Sequence, residues 1–84
     1  MPSIPTVHLN GTARQSLVRD YETALTAVND AIEKVRATAP NGRDYYPQGP
    51  TALTHAEHEH RTRLGYLDAV AADFVEILTA LADL

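Results

Sequence analysis

Apolar residues recur along this chain at helical spacing in two separate runs. Val18, Tyr21, Leu25, Val28, Ile32, Val35 and Ala39 follow one another in alternating steps of three and four, with Leu17, Ala24 and Ala31 widening the stripe. That spacing holds one side of a helix apolar over three heptads, and it predicts a helix over residues 12–39. Leu64, Leu67, Ala71, Phe74, Leu78 and Leu81, flanked by Val70, Ile77 and Leu84, form a second seam and predict a helix over 51–84. Thr12 with Gln15 has the spacing of a capping box at the first helix; Thr54 with Glu57 offers another at the second, and Thr51 an earlier start. Ala39-Pro40-Asn41-Gly42 ends the first helix, because proline brings no backbone donor and restricts the residue before it. Residues 1–11 contain Pro2, Pro5 and Gly11, and the run Thr6-Val7-His8-Leu9 suits an extended arm or a brief strand.

At 1.5 Å per residue the helices would be about 39 and about 50 Å long, and a connector of only residues 40–50 folds them into an antiparallel hairpin. The fold class is therefore all-α, a single domain spanning 1–84. Each apolar stripe is wider than one neighbouring helix can cover, so self-association into a dimeric four-helix bundle or a larger assembly is expected.

The second seam has a polar break. Carried back from Leu64, its heptad places His60 and Glu57 on the inward side, with Leu53 apolar again one turn earlier. Polar groups that face inward need partners, and the nearest lie in the connector: Arg43, Asp44, Tyr45 and Tyr46. Two of the four tyrosines fall there, where an amphipathic ring can stack on a ligand or a partner chain. Two readings stand side by side: His60 braces the connector, or it joins a ligand site built from an arginine and two phenols.

Composition narrows the alternatives. A chain of 84 residues buries only about 60% of its unfolded surface, and without cysteine it has neither disulfide nor thiolate metal site to supplement the core. The net charge of −4 and the lack of a basic recognition helix argue against nucleic acid. Charge is uneven: Lys34, Arg36, Arg43, Arg61 and Arg63 stand against Glu33, Asp44, Glu57 and Glu59 around the connector, while elsewhere Arg14 and Arg19 face seven acids. The connector end is thus mildly basic and the far end acidic. No window approaches a membrane span, and Met1-Pro2-Ser3-Ile4-Pro5 has no export-signal pattern, so a soluble, unexported protein is expected. The run His55-Ala56-Glu57-His58-Glu59-His60 raises a metal reading through His55, Glu57, His58 and His60, and Glu57-x-x-His60 matches di-iron bundle spacing. The facing stretch of the first helix offers Ile32 and Val35 rather than inward carboxylates, which leaves a solvated charge cluster as the favoured reading. No phosphate loop, nucleophile-base pair or cofactor fingerprint is present, so the chain reads as a non-enzyme without a cofactor.

Ile4-Pro5-Thr6-Val7-His8-Leu9-Asn10-Gly11-Thr12 and Asn41-Gly42-Arg43-Asp44-Tyr45-Tyr46-Pro47-Gln48-Gly49 resemble segments of small proteins of no settled activity encoded by tailed bacteriophages and prophages. The resemblance implies phage origin and residence in the host bacterial cytoplasm. Phage proteins of this size commonly act as inhibitors or sponges of host defence, as regulators, or as virion and assembly accessories. Helix one separates the two segments within one chain, but an antiparallel second copy would bring the arm of one to the connector of the other. A composite site of Arg43, Asp44, Tyr45, Tyr46 and His60 with His8 and Asn10 would suit a small, planar, anionic, nucleotide-like ligand. The alternative is a protein-protein interaction module gripping a host or virion protein with the same loop, and metal binding comes third.

Overall fold

The computed structural model describes residues 1–83, and among them it is all-helical with no strand. α1 spans Arg14–Arg36, α2 is the short helix Gly42–Tyr45, a 3-10 turn follows at Tyr46–Gln48, and α3 spans Ala52–Ala82. No described helix is long and apolar enough to cross a membrane. The two long helices pack together and run antiparallel. Arg14 at the start of α1 meets Leu81 at the end of α3; Tyr21 meets Phe74 further along; and Gly42, beyond α1, approaches Leu53 near the start of α3. All three pairs are symmetric about a point between Pro47 and Gln48, so one register holds from end to end. That symmetry brings Val35 and Ile32 to the level of His60.

The apolar seams are where periodicity puts them. Val18, Tyr21, Leu25, Val28 and Val35 are half-buried and Ile32 is buried, and on α3 Leu64, Leu67, Ala71, Phe74 and Leu78 are half-buried while Ile77 and Leu81 are buried. Tyr21 and Phe74 meet edge to face with ring centroids 5.5 Å apart, a favoured aromatic geometry. Among the described residues Leu81 is the largest side chain fully removed from water.

The ends of the helices differ from expectation. No capping box forms at Thr12: the chain is still extended at Ala13 (φ −60°, ψ 144°), which occupies the cap position without a side-chain bond, so the Thr12 hydroxyl lies one residue too early. α1 stops at Arg36 rather than Ala39. Its tail tightens into i→i+3 bonds, with the Thr38 amide donating to Val35 O at 3.0 Å and the Ala39 amide to Arg36 O at 3.1 Å, as the approach to Pro40 disfavours further α turns. The Thr38 hydroxyl also donates to Val35 O at 2.7 Å. α3 starts at Ala52 with Thr51 as its cap residue, the earlier of the two expected starts; neither Thr51 nor the Thr54-Glu57 pair supplies a side-chain cap. The helix was expected to reach Leu84, which lies outside the described residues.

The seam of α3 also departs from its heptad in one place. Leu53, Ala56, His60 and Leu64 face inward in steps of three, four and four, so Ala56 is buried at 7% exposure where Glu57 was expected, and Glu57 is exposed. Three turns then take eleven residues, close to the natural repeat of a straight helix, and the heptad phase slips by about one residue. An alanine inside lets the helices approach closely and leaves the carboxylate in water, where its charge costs least.

Candidate functional site

The connector is helical rather than loose. Asn41 caps α2 by accepting from the Asp44 amide at 3.3 Å, and its own side-chain amide donates to the Asp44 carboxylate at 3.0 Å. That reciprocal pair closes the first turn and holds α2 against Leu53, where a Cβ on Gly42 would lie 3.9 Å from Leu53 Cδ2. The 3-10 turn then ends at Gly49, whose φ of 112° sends the chain into α3 and would strain any other residue.

These turns enclose an open cavity of about 410 Å³ lined by Gly42, Tyr45, Tyr46, Gly49, Pro50 and Leu53. Its lining combines two phenol rings with the aliphatic Pro50 and Leu53 and two glycines. Tyr45 is half-buried whereas Tyr46 stands 77% exposed. Arg43, between Gly42 and Asp44, is exposed and forms no ion pair among the described residues. Of the other cations near this end, Lys34 pairs with Asp30 at 2.8 Å, Arg36 with Glu33 at 2.7 Å and Arg63 with Glu59 at 3.7 Å, while Arg61, like Arg43, forms no ion pair among the described residues.

The expected site residues are only partly brought together. Arg43, Tyr45 and Tyr46 share the connector, but Asp44 is engaged by Asn41. His60 is inward as expected, with 9% exposure, and it belongs to the helix-helix seam rather than to the lining of the connector cavity. Among the described residues no polar side-chain atom is sealed away without a partner, so the His60 imidazole keeps an edge toward water. His8 and Asn10 lie at the other end of the molecule, because α1 with its 23 residues interposes about 35 Å. There the Gly11 amide donates to His8 O at 3.1 Å, and the imidazole lies over Gly11 so closely that a Cβ would come within 2.7 Å of Nε2. The arm is thus a turn with Met1, Ile4, Val7 and Leu9 exposed, and the brief strand does not form.

The histidine-rich run does not converge. His55 and His58 are on the outer surface, where they line an open cavity with Thr54, Glu59 and Arg61. Glu57 points to solvent and His60 inward, which separates the pair whose spacing matched di-iron helices. Among the described residues no group of three or more His, Asp or Glu side chains is placed to hold a metal ion.

Sequence reasoning missed Asn41, Gly49, Pro50 and Leu53 as builders of the cavity. Asn41-x-x-Asp44 carried a readable signal, since asparagine three residues ahead of an amide it can accept from is a helix-start pattern. No protein-family model, no curated protein and no solved structure matches the chain. What the site can do therefore rests on its own chemistry.

Proposed function

We propose that the protein is a non-catalytic, self-associating helical hairpin of phage origin. In this reading it sequesters a small, planar, anionic, nucleotide-like ligand at its connector, in the manner of a counter-defence sponge in the host cytoplasm. The observation that carries this reading is a tyrosine-walled cavity of about 410 Å³ in the same connector as Arg43, which is outside its lining and forms no ion pair among the described residues; the volume lies within the ~300–1,000 Å³ of small-ligand sites. Tyr45 and Tyr46 offer faces for a planar ring, the Gly42 and Gly49 backbone allows close approach, and Arg43 can pair with a phosphate through two parallel hydrogen bonds. His8 and Asn10 would join from the arm of a second copy, with His60 supporting the connector from within the seam.

Thermal denaturation against a panel of cyclic and linear nucleotides tests it. A ligand at about 100 times its Kd adds about 2.7 kcal/mol to the folded state, which for a domain of this size raises Tm by roughly 10 °C or more. Arg43→Ala should remove the rise while leaving the assembly mass unchanged. No rise with any nucleotide would sink the proposal.

A second reading is favoured by the prominence of Tyr46, which at 77% exposure projects from the bend as an anchor for a partner protein. In that case nucleotides leave Tm unaltered, and Tyr46→Ala abolishes capture of a host or virion protein that the unmodified chain retains.

A further inference from the structure

We propose that a second copy of this chain docks antiparallel onto one particular side of the helix pair, the side carrying Leu17, Ala24, Ala31, Tyr66 and Val70. This deepens the self-association in the reading above by naming its surface. It does not depend on any ligand.

Each of those five residues immediately precedes a seam residue: Val18, Leu25 and Ile32 on α1, and Leu67 and Ala71 on α3. A step of one residue turns about 100° around a helix. Antiparallel helices wind in opposite senses when viewed from one end, so residues that precede the seam on both helices fall on the same side of the pair. Residues that follow the seam fall on the other side. On α1 the following residues are Arg19, Glu22, Thr26, Asn29, Glu33 and Arg36, polar without exception and all exposed. The preceding side instead shows half-buried Leu17, Ala24 and Ala31 next to Tyr66 at 71% exposure and Val70 at 40%. Alanines at seven-residue spacing leave room for a neighbouring helix, and Tyr66 and Val70 provide the projections to fill it.

Two further observations select a second copy as the occupant. The strip is about 35 Å long, the length of α1, and the molecule is 21 Å wide, giving on the order of 700 Å² per copy, close to the ~800 Å² per partner of a stable interface. The charges on this side are also self-complementary. Asp20 and Asp73, which complete it at the arm end, are acids, and Lys34 and Arg63, which complete it at the connector end, are bases. Laid antiparallel, two copies put acids beside bases at both ends; laid parallel, they put like beside like. The in-chain ion pairs of Lys34 and Arg63 are at exposed positions, free to extend into such a network. The same orientation carries the arm of each copy, with His8 and Asn10, alongside the connector of the other.

Val70 and Val75 make a matched test, because both are exposed valines on α3 that flank the seam on opposite sides. Sedimentation equilibrium should give a dimer mass for the unmodified chain and for Val75→Glu, and at least tenfold weaker association for Val70→Glu. Should Val70→Glu fail to fold, Asp73→Lys, which alters only rim charge, should weaken association in its place. Nitroxide labels on Thr51→Cys should lie about 50 Å apart across an antiparallel dimer, set by helix rise, against less than about 25 Å across a parallel one. A monomer mass for the unmodified chain throughout the micromolar range, equal weakening by Val75→Glu and Val70→Glu, or a short label distance each overturns the assignment.

Discussion

The two ends of the helix pair are held by different physics. At the arm end, tertiary packing dominates: Leu81 is fully buried, Ile77 is 5% exposed, Tyr21 and Phe74 meet edge to face, and the Arg14 Nε donates to Leu81 O at 2.8 Å, tying the start of α1 to the last turn of α3. At the connector end, local bonds dominate: the Asn41 cap, the Thr38 hydroxyl on Val35 O, the left-handed Gly49, and ion pairs three or four residues apart. The most buried positions of α3 there are a histidine and an alanine rather than large aliphatics, with Ile32 buried on α1. The contrast locates stability at one end and leaves the other free to carry recognition, since residues selected to hold a ligand or partner need not be those that pack best.

Three substitutions probe that contrast. Leu81→Ala should have the largest effect, a loss of about 3 kcal/mol read by urea denaturation, because it removes a fully buried side chain and leaves a cavity between helices. A loss under 1 kcal/mol would show that the arm end is not the packed end. His60→Leu should act in the opposite direction and raise stability by about 1 kcal/mol, since leucine continues the seam against Val35 and Ile32 without a polar ring to solvate. If stability falls instead, His60 braces the connector and the seam there is a structural contact. Asn41→Ala should cost about 1 kcal/mol through loss of the cap, with hydrogen exchange faster at Asp44 and its neighbours while amides around Phe74 keep their protection. Uniform loosening of both ends would erase the distinction between them.

Much of the architecture was legible because it follows from spacing. The steps of three and four in α1 and α3 identify the buried side of each helix, and Pro40 punctuates the bend through backbone chemistry that no packing can override. The site was less legible. Glu57 and Ala56 are neighbours in sequence, and which of them turns inward depends on a phase slip that only contact with α1 selects. Asn41 was readable as a cap, yet Thr12 and Thr54 had equally good cap patterns and neither forms one. A cap needs the residue to stop outside the helix, and where a helix begins is decided by how its first turn packs. His60 was correctly turned inward, but whether it would meet Tyr45, Tyr46 or the aliphatic residues of α1 depended on the register between the helices.

The sequence by itself determined the helices, the side of each that avoids water, the position of the bend and the unequal charge of the two ends, because these depend on periodicity, on proline and glycine backbone limits and on where ionisable residues fall along the chain. Only the tertiary structure decided the register that pairs Arg14 with Leu81, the burial of Ala56 in place of Glu57, and the cavity between Tyr45 and Leu53. Those outcomes depend on which side chains fit together when two helices meet, a property of pairs of surfaces rather than of either strip of sequence alone.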